Sequence, residues 1–388
     1  MKAITGSLHY IGADDPNLDL FESQYKVPEG MCYNSYILLD QQVAVFDTID
    51  ARCGSEWKSN LQKALEGRLP DYLIVHHLEP DHSALIAWAL GNYPDLKIVC
   101  SAKAQAMLPQ FFENVNLEGR VLTVKDGDTL SLGAHTLHFF TAAMVHWPEV
   151  IVSYDDFDKT LFSADGFGKF GVYDADADDW ACEARRYYFN ICGKYGMQVQ
   201  ALLKKAAPLD IQRICPLHGP VLEGEKMTEA LRLYNIWSKY EVETEGTLIA
   251  YASIHGGTKY AAEFLAGMLE STGEKVVLSD LTRSDMAEVI EDAFRYGRMV
   301  VAASSYDADV FPPMHEFLHK LQLKGYQNRR VAIVENGSWA PTAGKAMKAM
   351  LETMKNVTVV EPTVTIRSRM KAEDVAQFAA LADALLAE

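Results

Sequence analysis

From Thr247 to Leu386 the chain alternates strand-like apolar runs with helical stretches, and nothing else in the sequence restricts the fold as strongly. The apolar runs are Thr247–Tyr251, Lys275–Leu278, Met299–Ala303, Arg330–Val334 and Thr358–Val360. Between and after them lie helical patterns over Lys259–Leu269, Met286–Phe294, Pro313–Leu323, Thr342–Met354 and Ala372–Leu386. Five strands alternating with helices in about 140 residues predict a doubly wound parallel sheet. Before Gly246 the pattern is less regular. Short runs (Tyr36–Leu39, Val43–Asp47, Tyr72–Val75, Lys97–Cys100, Thr136–Phe140, Val150–Tyr154) are mixed with helical stretches at Ser83–Leu90, Ala102–Phe112 and Cys182–Lys204. This predicts an α and β domain held by non-local pairings. The chain therefore divides into two parts, 1–246 and 247–388, as its 388 residues lead one to expect.

A net charge of −17 disfavours nucleic acid and anionic membrane as partners, because both are like-charged. No apolar run approaches membrane-spanning length, and Met1-Lys2-Ala3-Ile4-Thr5-Gly6 lacks the pattern of a secretion signal, so a cytoplasmic protein is expected. The six cysteines form no C-x-x-C pair, which argues against a zinc ribbon, a redox dithiol or a thiolate-held cluster.

Chemistry concentrates in the first part. Four side chains that can ligate a metal fall within the run His77-Leu78-Glu79-Pro80-Asp81-His82. Three more, His146, Asp165 and His218, each follow a strand-like run. A single His or Asp at a strand end is usually a satisfied hydrogen-bonding group. Imidazoles and carboxylates in this number, brought to one place, instead make a site for two metal ions. Pro80 stiffens the loop on which the first four sit. Trp147 and Tyr187 or Tyr188 are candidates to line the pocket, although a core role is the ordinary one for an aromatic residue.

The second part carries its own signal. Its first strand runs into Ser253-Ile254-His255-Gly256-Gly257-Thr258, and a helix follows, which is how hydroxyls and backbone N–H groups come to cradle a phosphate. Two further loops, Ser304-Ser305-Tyr306-Asp307-Ala308-Asp309 and Glu335-Asn336-Gly337-Ser338-Trp339-Ala340, follow the third and fourth strands. Doubly wound sheets bind ligands at such carboxyl ends. Tyr306 and Trp339 are placed to flank a flat ring system. No G-x-G-x-x-G fingerprint is present, so a nicotinamide site is not expected.

The run H-x-E-x-D-H with its downstream His, Asp and His resembles the metallo-β-lactamase fold, whose hydrolases generally carry H-x-H-x-D-H; here Glu79 takes the second histidine's place. With a flavodoxin-like half after it, the chain resembles the flavodiiron proteins along nearly its whole length. That resemblance implies an α/β multidomain fold: a metallo-β-lactamase-like αββα sandwich, then a flavodoxin-like doubly wound five-stranded parallel sheet. It implies a non-haem di-iron centre, with His77, Glu79 and His146 on one iron and Asp81, His82 and His218 on the other. Asp165 would bridge them, and His82 is the ligand most able to turn away. Replacing an imidazole by a carboxylate suits oxidised iron, whereas an imidazole-rich pair suits zinc.

The same resemblance implies FMN held by Ser253, Ile254, His255, Gly256, Gly257, Thr258, Ser305, Tyr306, Asp307, Ala308, Asn336, Gly337, Ser338 and Trp339. Two departures bear on it. The family's first loop commonly reads G-N-T, and Gly257 stands at the Asn position; Asp307 and Asp309 replace the usual Asn and Thr of the second loop. The implied activity is reduction of dioxygen to water, of nitric oxide to nitrous oxide, or both. The implied assembly is a head-to-tail homodimer or a dimer of dimers, fed by an external donor, rubredoxin or a reduced deazaflavin. Two rivals belong to other classes: a zinc hydrolase with an accessory flavodoxin domain, and an electron carrier with a lactamase-like scaffold. Glu79 opposes the first and the full ligand set the second.

Overall fold

Thirteen strands of the first part of the chain form two sheets that pack face to face. The first sheet runs in the order Lys2–Ala3, Leu8–Tyr10, Tyr36–Leu39, Val43–Phe46, Tyr72–Ile74, Lys97–Ser101, Val121–Val124. Its first four strands pair antiparallel and its last four parallel. The second sheet runs Thr129–Ser131, Thr136–Thr141, Ile151–Asp155, Thr160–Phe162, Arg213–Cys215, Leu222–Glu223. Leu38, Ala44, Phe46, Ile74 and Val99 of the first meet Leu137, Phe139, Ile151, Phe162 and Cys215 of the second in one apolar layer. Phe46 and Phe162 stack across it with ring centroids 3.8 Å apart. Helices complete an αββα sandwich; Ala102–Phe111, for example, packs on Lys97–Ser101 and Val121–Val124.

This computed structural model describes residues 1–175 and 179–387. It divides into the units Met1–Asn235 and Ile236–Glu388. The sequence-based boundary at Gly246 lies inside a strand, Thr244–Ala252, where the register shifts between Thr244 and Thr247. Gly246 has φ +152, and a Cβ there would stand 2.9 Å from the Lys275 carbonyl. The glycine marks a bulge rather than a linker.

The second unit has the strand order Val276–Asp280, Thr244–Ala252, Tyr296–Tyr306, Arg330–Asn336, Thr358–Val359, with all neighbours parallel. In chain order this is 2-1-3-4-5, the flavodoxin-like arrangement. The fifth position is filled in two pieces, because Val364–Ile366 also pairs parallel with Arg330–Asn336 and Pro362, which has no N–H to donate, lies between them. Ile249, Val300, Ala332 and Val334 pack against Leu265, Phe378 and Leu385 of the flanking helices.

One predicted helix is broken. Cys182–Lys204 is two helices, Trp180–Ile191 and Gly196–Ala206, with a 3-10 turn at Gly193–Tyr195. Gly193 and Gly196 weaken the continuous pattern there. Among the described residues no helix is long and apolar enough to cross a membrane.

Candidate functional site

The central strand Tyr72–Ile74 has parallel neighbours on both sides, and its carboxyl end delivers the histidines. His76 turns into the core: its ring lies between Asp47 Oδ2 at 2.6 Å and Ser153 Oγ at 2.8 Å and stacks on Phe46. His77 faces the other way. Pro80 opens the short helix Pro80–Ser83, which carries Asp81 and His82. Ser83 Oγ donates to the Leu78 carbonyl at 2.7 Å and fixes the loop. His146, Asp165 and His218 arrive from loops beyond Thr136–Thr141, Thr160–Phe162 and Arg213–Cys215, strands of the second sheet.

All seven predicted side chains converge, in two groups that could each hold a metal ion: His77, Glu79, His146 with Asp165, and Asp81, His82 with His218. In the first, Glu79 Oε2 lies 3.1 Å from both His77 Nε2 and His146 Nε2. Asp165 Oδ2 lies 3.2 Å from His77 Nε2 and 3.3 Å from His146 Nε2. In the second, Asp81 Oδ2 is 3.3 Å from both His82 Nε2 and His218 Nε2. Asp165 Oδ1 is 3.3 Å from His82 Nε2 and 3.6 Å from His218 Nε2.

These spacings fit metal ions. Bonds of about 2.0–2.2 Å to nitrogen or oxygen place neighbouring donors roughly 3 to 3.5 Å apart. Both oxygens of Asp165 and of Asp81 are buried and accept no hydrogen bond among the described residues, although imidazole nitrogens stand beside them. Unaligned, unsatisfied acceptors around a common point cost stability unless a cation completes them. His77, His82, Asp165 and His218 are buried, while Glu79, His146 and Asp81 keep partial exposure, the most at Glu79, so the centre opens past these three side chains.

Burial alone would neutralise these groups, and their mutual attraction overrides it. Burial opposes charge on His77, but Asp165, Glu149 and Glu79 raise its pKa well above the ordinary value. Burial likewise opposes charge on His146, which Asp165 and Glu79 lift to about 9. Glu79, despite burial, is brought to about 2 by His146 and His77. Asp165 falls well below the carboxylate range, its burial outweighed by His77, His146 and His82.

Aromatic rings enclose the centre. Trp147 meets His77 edge-on at 5.1 Å, and Phe21, Tyr33 and Tyr187 surround His218. Tyr188 instead packs on Tyr234 and Phe189. Sequence reasoning missed Phe21, which sits in the small hairpin Leu20–Phe21 with Tyr25–Lys26, and Glu149, which accepts from His77 Nδ1 at 2.8 Å. Neither carries a pattern; Glu149 is marked only by lying three residues beyond His146.

In the second unit a cavity of about 560 Å³ opens at the carboxyl ends of Thr244–Ala252, Tyr296–Tyr306 and Arg330–Asn336. This is the switch point of the strand order. Of the predicted flavin-binding residues, all but Gly256 line it. Gly256, at φ +84, caps the helix Gly257–Glu270 and donates its N–H to Ser253 Oγ at 3.0 Å. Thr258 Oγ1 pairs with Ser304 Oγ at 2.9 Å and accepts from Asn336 Nδ2 at 3.2 Å, which ties the three loops together. Tyr306 and Trp339 are exposed at the rim. Ser304 and Ala340, from the two later loops, line the cavity too, as do Thr342, Ser368 and Arg369, which lie outside the loops named from the sequence. Ser368 and Arg369 come from beyond Val364–Ile366, outside the loops whose residues suggested a phosphate cradle.

The chain thus joins a lactamase-type sandwich bearing a paired histidine–carboxylate centre to a flavodoxin-like sheet with a cleft at its switch point, and this is the fold of the solved flavodiiron proteins. Residues 31–219 match the family model described as ODP family beta lactamase. The chain is 25% identical over 361 residues to the anaerobic nitric oxide reductase flavorubredoxin of Escherichia coli, covering 90% of this chain and 74% of that one. It is 25% identical over 376 residues to an uncharacterized protein of Methanocaldococcus jannaschii, covering 95% and 94%. Among solved structures it superposes on the rubredoxin oxygen:oxidoreductase of Desulfovibrio gigas with a TM-score of 0.90 at 24% identity, covering 99% and 97%. For the flavodiiron protein of Giardia intestinalis the TM-score is 0.87 at 23% identity, covering 99% and 95%.

Proposed function

We propose that the chain is a flavodiiron oxidoreductase that reduces dioxygen to water, nitric oxide to nitrous oxide, or both. The observation that carries this reading is Asp165, which turns one carboxylate oxygen to each half of a seven-residue centre. His77, Glu79 and His146 would hold one iron and Asp81, His82 and His218 the other, with Asp165 between them. The cleft lined by Ser253, Thr258, Ser305, Tyr306, Asn336 and Trp339 would hold FMN. Iron binding then lies within 1–246 and FMN binding within 247–388.

When bound, two ferrous ions supply two electrons and reduced FMN two more, enough with four protons to convert one O₂ to two H₂O. Two electrons and two protons convert two NO to N₂O and H₂O. The chain's own part is to orient and exclude. Buried His77, His82 and His218 present Nε2 toward the centre, and Phe21, Trp147 and Tyr187 keep bulk water from it. The partial exposure at Glu79 and His146 leaves an approach for a diatomic gas.

The names of the relatives, which include rubredoxin and flavorubredoxin, favour a rubredoxin-type donor, with a reduced deazaflavin the alternative. A head-to-tail homodimer is the proposed assembly. The test is gas consumption by anaerobically reduced protein of known iron and FMN content, followed in parallel O₂ and NO electrode traces. Fast loss of either gas is expected; no loss of either with both cofactors present refutes the proposal. Zinc without iron in the purified protein points instead to a hydrolase.

A further inference from the structure

The two halves of the centre carry matched donors: each has two imidazoles, one carboxylate of its own and a share of Asp165. What stands behind the imidazoles is not matched. His77 donates its Nδ1–H to Glu149 Oε1 at 2.8 Å, and the same oxygen accepts the Leu78 N–H at 3.0 Å. Glu149 is buried and anchored through its own backbone carbonyl, which accepts from Ser101 Oγ at 2.7 Å. Ser101 Oγ in turn accepts the Ala104 N–H at 3.0 Å and caps the helix Ala102–Phe111.

In the other half His218 donates Nδ1–H to a neutral acceptor, the Cys32 carbonyl, at 2.7 Å. His82 Nδ1 is buried with no partner among the described residues. Of the four rings, His77 is thus backed by a carboxylate and His218 by a carbonyl, while Nδ1 of His82 and of His146 has no hydrogen bond among the described residues, so the halves differ by the charge of Glu149. A carboxylate behind an imidazole fixes its tautomer and makes the opposite nitrogen a stronger donor. A low-dielectric interior strengthens that effect.

Resting on the di-iron reading above, we propose that the centre is unequal by construction: His77, Glu79 and His146 form the tighter iron site, and Asp81, His82 and His218 the weaker one. Glu149 is the positioning residue that sets the difference. Exposure does not follow the same division, since solvent reaches Glu79 and His146 in one half and Asp81 in the other. The inequality is therefore one of equilibrium affinity, and equilibrium is what the experiment must read.

The experiment titrates metal-free, FMN-loaded protein with Fe(II) under anaerobic conditions against a chromophoric chelator. Wild type is expected to take up two Fe(II) per chain in two affinity classes. Asp81→Asn should remove the weaker class and leave the tighter. In that background Glu149→Gln, which keeps shape and an acceptor but removes the charge, should weaken the remaining site about 10- to 100-fold. Should Glu149→Gln fail to fold, Ser101→Ala releases the anchor without touching the carboxylate and should weaken the same class in the same direction. A single class of two equal sites, or a Glu149→Gln effect confined to the weaker class or absent, overturns the proposal. Uptake of fewer than two Fe(II) at saturating metal has a different signature and overturns the di-iron reading itself.

Discussion

Asp165 faces both halves of the centre at once: its Oδ2 lies 3.2 Å from His77 Nε2 and its Oδ1 lies 3.3 Å from His82 Nε2. No other side chain in the cluster has one oxygen for each group. Removing it should therefore cost more than one ligand. On the proposed reading, Asp165→Ala is expected to lower iron retention from two ions per chain to one or fewer while FMN stays bound, because the cleft proposed for FMN is built from the second unit alone. Iron and flavin analysis of the purified variant checks this, and unchanged iron content contradicts it.

Gly257 offers the complementary test. A Cβ at this position would stand 2.2 Å from the Ser368 carbonyl and 3.2 Å from Asn336 Nδ2. Backbone cannot yield as a side-chain tip does, so the loops joined by Thr258, Asn336 and Ser304 must separate. Gly257→Ala should release FMN during gel filtration and leave iron untouched. Full flavin occupancy in that variant would show that the cleft tolerates the shift.

How much of this was legible follows from how each feature is encoded. The compressed run His77 to His82 was readable because four donors in six positions have no ordinary structural explanation, and the doubly wound half because strand and helix periods alternate cleanly. What Gly246 does was not legible: a glycine looks the same in a linker and in a bulge, and only the pairing of Thr244 with Tyr296 places it inside a strand. The small N-terminal hairpins, such as Leu20–Phe21 with Tyr25–Lys26, are too short to show a period of two. Glu149 and Arg369 acquire their places only through tertiary contact, which no local pattern carries.

The charges of the centre make the metal-free protein respond to pH in a defined direction. His146, raised to about 9 chiefly against burial by Asp165 and Glu79, stabilises the fold fully below its unfolded value near 6.5 and loses that contribution as pH rises through 9. Glu79, lowered to about 2 against burial by His146 and His77, contributes above its unfolded value of 4.5 and loses the contribution as pH falls toward 2. Melting temperatures of metal-free protein should therefore be highest between roughly 4.5 and 6.5 as far as this pair is concerned, and should decline through pH 9. Iron has the opposite slope, because it displaces the His146 proton: Fe(II) affinity should rise up to about tenfold per pH unit between 7 and 9 from this group alone. An affinity independent of pH over that range would mean that His146 is not a ligand.

The last prediction concerns the layer on which the centre stands. Phe162 is buried between the sheets, stacks on Phe46 at 3.8 Å with planes 10° apart, and lies parallel to the His76 ring at 6.3 Å. Asp165 follows three residues later on the same chain segment, and His77 follows His76 directly. Truncation to alanine removes apolar contact from both sheets and leaves a cavity that rigid strands fill poorly. Phe162→Ala should destabilise the first unit by about 3–5 kcal/mol. It should also loosen the spacing between His77 and Asp165, so that iron retention falls even though no ligand has changed. Chemical denaturation followed by near-ultraviolet circular dichroism, with iron analysis on the same samples, measures both effects. A loss below about 1 kcal/mol would mean that the neighbouring side chains collapse into the space, and the coupling between core and centre would then be absent.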